Sequence, residues 1–248
     1  MNKLNVSAVS YLNTRPFLYG LERSDIRNKI NLSLDVPSVI AKKLLSGDAQ
    51  IGLVPVAVIP KIRNAKIISN YCIGANGKVE TVCLYSNVPI EKIEAILLDH
   101  QSETSVKLIQ VLMKFFWNKQ VNYINALPGF EREIKDTVAA VVIGDRNFEM
   151  RNQFNSCIDL AEEWKNFTGM KFMFAAWVST IDLNDELLLQ FNEALKDGVT
   201  HIAEVSNEAS MNYPGIDVQH YLSNCISFER DEMMMAGYQK FIELLQQL

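Results

Sequence analysis

The first 60 residues alternate between short apolar, strand-like runs and helix-like runs bounded by proline and glycine. KLNVSAV leads to RPFLYGL, NLSLDV leads to PSVIAKKLLSGD, and AQIGLVPVAVIP closes the series with a break at Pro55. Strands joined through helices lie parallel with right-handed crossovers, so this order commits the chain to an α/β architecture. Pro16 stands where a first helical turn tolerates a missing N–H. Val39, Ile40, Leu44 and Leu45 are expected on one face of the second helix, with Gly47 as its stop.

The pattern continues downstream. GKVETVCLYSNVP alternates as a strand does, and ILLD precedes HQSETSVKLIQVLMKFFW, where Val106, Ile109, Leu112, Met113 and Phe116 fit a helical face. TVAAVVIGD reads as a buried strand, DLAEEWKNFTG as a short helix and KFMFAAWVS as another strand. From Leu183 onward the chain reads as nearly all helix. With no internal repeat and no low-complexity linker, two lobes would have to be joined by strands crossing between them.

Charge and composition narrow the function. A formal net charge of −5 with scattered lysines and arginines is the opposite of what binding to a phosphate backbone needs. No apolar run approaches the roughly 20 residues of a membrane-spanning helix. Polar residues interrupt the N-terminal MNKLNVSAVSYLN, so it lacks a signal-peptide core, and a cytoplasmic protein is expected. Cys72, Cys83, Cys157 and Cys225 show neither a CxxC pair nor a Cys/His ligand spacing; no disulfide framework and no zinc site are expected.

Three polar clusters sit at strand ends, where ligands bind in open α/β sheets. SYLNTRP places Ser10, Asn13, Thr14 and Arg15 after the first strand; the competing role is a capped turn. DHQSETSV crowds Ser102, Thr104 and Ser105 at the start of a helix, whose free N–H groups and dipole suit an anion. One of these hydroxyls is explained by ordinary capping. VVIGD ends a strand with Gly144 and Asp145, the aspartate being either a ligand group or a cap. No GxSxG, HExxH, P-loop or GxGxxG occurs. Of His100, His201 and His220, only His100, directly after LLD, lies near a candidate site.

The blocks VSYLNTRPF, PSVIAKKLLSGDAQIGLVPV, GKVETVCLYS, LDHQSETSV, AAVVIGD and DLAEEWKNFTGMKFMFAAWV occur in this order over about residues 4–180. Together they resemble the chorismate dehydratases that open the futalosine route to menaquinone. The resemblance implies a type 2 periplasmic-binding-protein-like α/β fold, two lobes around a ligand cleft. VETVCLYS and FMFAAWVS would cross between the lobes, residues 1–86 with 178–248 forming one lobe and 87–177 the other. It also implies conversion of chorismate to 3-[(1-carboxyvinyl)oxy]benzoate and water. The chain itself shows no metal-ligand cluster and no dinucleotide fingerprint, so no cofactor or metal is expected, and its charge and apolar runs give no nucleic-acid or membrane partner.

On that resemblance Asn13, in a YLN-x-RP motif, would hold the departing hydroxyl or the ring, and Ser86 would face the cleft. Arg15 would pair with a substrate carboxylate or tie the first helix to its lobe, beside Ser10. Ser102, Thr104 and Ser105 would seat a carboxylate next to Gly144 and Asp145. The substrate's own side-chain carboxylate is expected to take the C3 proton, with Asp145 or His100 as alternative bases.

A sister dihydroxynaphthoate synthase of similar fold carries Ile-His-Glu where this chain has Ile143-Gly144-Asp145. A cytosolic carboxylate-binding protein without catalysis is the remaining alternative. An exported receptor would need a signal or lipobox and a regulator a helix-turn-helix segment, neither of which is seen.

Overall fold

The computed structural model describes residues 3–248. The βαβαβ start is present as β1 (Leu4–Val9), α1 (Arg15–Arg23), β2 (Ile30–Asp35), α2 (Pro37–Ser46) and β3 (Ile51–Pro55). β1 runs parallel to both β2 and β3, as expected of strands separated by helices. Gly47 ends α2 with φ +83°, a conformation glycine adopts without steric cost. On α2 the buried face is Ile40, Ala41 and Leu44, while Leu45 is 54% exposed: five residues from Ile40, it has turned away from the sheet.

The chain continues through β4 (Lys66–Ala75), β5 (Val82–Ser86), β6 (Ala95–Leu98), α3 (Thr104–Val111), β7 (Asn122–Asn125), β8 (Val138–Ile143), α4 (Asn147–Met150), β9 (Ser156–Asp159) and α5 (Leu160–Thr168). β10 (Phe172–Ser179), α6 (Asp185–Thr200), α7 (Ile202–Ser210), α8 (Val218–His220), β11 (Ser227–Glu229) and α9 (Glu232–Leu245) complete it. Two helices run on into a wider π turn, α3 over Leu112–Phe116 and α8 over Tyr221–Cys225. On the first of these the expected face is buried at Ile109, Leu112 and Met113 but only half-buried at Val106 and Phe116, Leu108 and Val111 being buried as well.

The strands form two sheets, ordered β11-β4-β10-β3-β1-β2 and β7-β6-β8-β5-β9. β10 is antiparallel to β3 and β4 in the first, and β5 is antiparallel to β8 and β9 in the second. This membership corrects the expected lobe boundaries at 86/87 and 177/178. All of β5 belongs to the second sheet and all of β10 to the first, so the chain crosses at residues 76–81 and 169–171. The strands themselves do not cross, because each needs a full set of ladder partners on one side of the molecule.

The first sheet is covered by helices packed unusually close. A Cβ added to Gly20 of α1 would lie 1.7 Å from the Ala194 carbonyl oxygen of α6, and one on Gly198 would lie 1.7 Å from that of Pro16. The backbones touch there, which fixes how the C-terminal helices sit on the first βα unit. Phe17, Trp177 and Phe191 fill the adjoining core edge-to-face, at centroid distances of 5.9 and 5.1 Å.

Candidate active site

Between the two sheets lies a cleft that, counted with the solvent space at its open mouth, spans about 540 Å³. The end of β1, the end of the crossing with the start of β5 (79–82), the start of α3 and the end of β8 all open into it. Its walls are mostly apolar, with Val9, Pro55, Ile73, Val82, Ile143 and Phe174 among them. No lysine, arginine or histidine is among the lining residues, and their titratable side chains are Tyr11 and Glu103. Glu103 also borders an outer groove with Lys61 and Lys107, which puts it at the rim.

Asn13 lines the cleft half-buried and accepts a hydrogen bond at Oδ1 from the Thr14 hydroxyl at 3.3 Å. Across from the N-terminal turn, Thr81 lines the cleft from the crossing segment and is 1% exposed. Its Oγ1 is 2.9 Å from the Tyr221 hydroxyl, and burial pushes that phenol's pKa far up, keeping it protonated. The Thr81 carbonyl accepts from Gly144 N at 2.9 Å and from Asn147 Nδ2 at 3.1 Å. Buried Asn147 also donates to the carbonyls of Val142 and Gly144 and accepts from Tyr85, locking the crossing to the end of β8.

Ser86 does not face the cleft. It closes a tight turn at the far end of β5, donating to Val88 O at 2.9 Å and accepting from Val88 N at 3.1 Å, with no exposed surface. At about 3.3 Å per residue it stands roughly 13 Å along the strand from cleft-lining Val82. Thr81 is the hydroxyl residue that the crossing delivers to the cleft, and the signal available was its place just before the start of β5 rather than at the far end of that strand.

Ser10 is exposed and outside the cleft, its N–H donating to Asp35 O. Arg15 is also outside, in a surface groove with Glu22 and Glu208. At the start of α3 the three hydroxyls divide. Ser102 Oγ accepts from Ser105 N at 3.0 Å, satisfying a free N–H in the first turn of α3 from the residue before its N-cap. Thr104 Oγ1 donates to Phe174 O at 3.0 Å and accepts from Ala57 N at 3.3 Å, fastening α3 to the first sheet. Ser105 lines the cleft alongside them.

Asp145 lies just beyond the lining residues and spans the two halves. It accepts from Leu12 N at 3.1 Å and from the Tyr213 hydroxyl at 2.7 Å, both on the first sheet's side. Burial raises its pKa, against the lowering effect of Tyr213, Leu12 N and Arg15. Tyr11 makes a second bridge, donating to Gln101 Oε1 at 2.6 Å. Its ring packs on Gly144, where an added Cβ would lie 2.8 Å from the ring. His100 stays out of the lining, its Nδ1 3.7 Å from buried Asp99 and its ring edge-on to Phe130. Asp99 is fully engaged, pairing with Arg146 and accepting from Ile143 N and Gln101 N.

Two α/β sheets, a chain that crosses between them twice and a cleft at the crossings define the periplasmic-binding-protein class of fold. The Archaeoglobus fulgidus protein AF1704 superposes with a TM-score of 0.78 at 13% identity, over 99% of this chain and 97% of that one. A Candida albicans protein described as exhibiting the generic periplasmic binding protein fold gives 0.68 at 12%, covering 100% and 91%. An ABC transporter from Parabacteroides distasonis gives 0.66 at 16%, covering 100% and 93%. The chain belongs to the menaquinone biosynthesis family, which it matches over residues 4–247, and its role lies in that biosynthesis. Among the described residues no helix is long and apolar enough to cross a membrane.

Proposed function

We propose that the chain is a chorismate dehydratase, a hydro-lyase giving 3-[(1-carboxyvinyl)oxy]benzoate and water. The observation that carries this reading is the convergence of two neutral hydrogen-bonding side chains, Asn13 and Thr81, on an apolar cleft without a lining cation. Apolar walls suit the carbon ring. The neutral groups suit a leaving hydroxyl, which they orient and stabilise as charge develops on its oxygen.

In the reaction the C3–H bond breaks and its electron pair becomes the new C3–C4 double bond as the C4–O bond breaks. The C3 proton goes to the side-chain carboxylate of chorismate and ends in the water released. A carboxylate held without a cationic partner keeps its basicity, because no nearby positive charge stabilises the ionised form. Aromatisation supplies the driving force, so the protein's task is to position the groups.

The sister synthase reading is disfavoured at one position. Its motif would put histidine at 144, where the Tyr11 ring already fills the space of a Cβ. Asn13→Ala and Thr81→Val are each expected to lower kcat for chorismate by about 100-fold or more, the usual cost of a lost transition-state donor, with circular dichroism unchanged. His100→Ala, outside the cleft, is expected to keep its turnover. Full activity in both cleft variants would overturn the assignment.

A further inference from the structure

On the outer side of the crossing segment, three metal-type donors from distant parts of the chain come together. The donor atoms of Glu80, His220 and Cys225 all lie within 4.8 Å of one another. We propose that these three side chains form a binding site for a divalent transition-metal cation of the zinc type, with water or an exogenous ligand in the fourth position. The proposal does not depend on which reaction the cleft performs.

The local backbone explains why the donors meet. His220 and Cys225 are five residues apart, a spacing that on an α-helix at about 100° per residue would point them some 140° apart. The π turn over Tyr221–Cys225 is wider and returns position five to nearly the same face as position zero. Glu80 arrives from the crossing with φ +69°, a left-handed conformation uncommon for a non-glycine residue. It is held there by Asp159, whose carboxylate accepts from Val79 N at 3.0 Å and Glu80 N at 2.6 Å. Strained residues of this kind concentrate where their placement serves a function.

Thiolate, imidazole and carboxylate together suit zinc-like ions, and three protein donors plus an open position is a common arrangement for them. Bonds of about 2.0–2.3 Å in a tetrahedron put donors roughly 3.3–3.8 Å apart, so a closure of about 1 Å by side-chain rotation completes the site. One oxygen of Glu80 takes Arg151 at 2.5 Å, and its partner oxygen has no hydrogen bond among the described residues. Arg151 and Lys78 oppose a cation here, while Glu80 and Asp159 favour it. Metal ligation requires the Cys225 thiolate, so binding releases the thiol proton to solvent. No pattern along the chain signals this cluster, since Glu80 is remote and His-x₄-Cys alone is not a ligand spacing.

The test is a titration of chelator-stripped, full-length protein with Zn²⁺ against a chromophoric chelator, paralleled by Co²⁺ spectroscopy. One equivalent of Zn²⁺ per chain, a rise in melting temperature and a thiolate-to-cobalt charge-transfer band are expected. Cys225→Ser should abolish the band, and His220→Ala and Glu80→Gln should each weaken Zn²⁺ binding at least tenfold. Cys157→Ser, in the neighbouring pocket, should change neither. Should Cys225→Ser fail to fold, exposed His220 carries the test alone. Absence of stoichiometric binding, or equal affinity in His220→Ala, would overturn the site.

Discussion

A side chain at position 144 would share space with the Tyr11 ring, since an added Cβ lies 2.8 Å from Cζ and the backbone there has φ +72°. Gly144→His is therefore expected to displace Tyr11, break its bond to Gln101 and lower chorismate turnover at least tenfold, measured by steady-state kinetics. Unchanged turnover would show that Tyr11 has no part in shaping the cleft. Asn13 was legible in the sequence because a local motif sets it at the mouth of β1. Thr81 was not: its partner Tyr221 is 140 residues away, and no pattern along one strand tells which end meets the cleft. The choice of Ser86 failed for that reason.

At the scale of elements, the opening βαβαβ unit could be read because each piece carries its own periodicity and its own proline or glycine stop. The strands that escaped reading are of another kind. β7 is four exposed residues, β11 is three residues, and β9 is four, so none is long enough to show alternation. β4 was passed over although it has ten residues, because its exposed and buried positions do not alternate. One contact within the first unit makes an acid-range prediction. Burial disfavours the Asp35 carboxylate, but hydrogen bonds from Lys43, Ser7 and Ser33 outweigh that and hold its pKa below the ordinary value. The stabilisation is complete above the unfolded value of about 3.9 and is lost as pH falls through the lower folded value. Asp35→Asn should flatten the acid limb of a melting-temperature profile below about pH 4; an unaltered limb would show that the contact contributes nothing to folding.

Across the whole molecule, the two sheets are held over the cleft by Asp145, which binds Leu12 N and Tyr213, by Tyr11 on Gln101, and by Thr104 on Phe174 O. Two polar groups expected to touch the substrate, Asp145 and Thr104, also serve this closure, because groups at the mouth of a cleft are where its halves meet. Asp145→Ala is expected to raise KM for chorismate about tenfold with a smaller change in kcat, since closing around the substrate is what it supports. A collapse of kcat at constant KM would make Asp145 the base and remove the substrate-carboxylate mechanism.

Conversion of chorismate itself is the most direct test of the proposed chemistry. The purified chain, in buffer free of cofactors and added metal, is mixed with chorismate and the products are separated by chromatography and identified by mass. Formation of 3-[(1-carboxyvinyl)oxy]benzoate with loss of one water is the predicted result. Saturable binding of chorismate with the substrate recovered intact would contradict it and leave a binding protein in place of an enzyme.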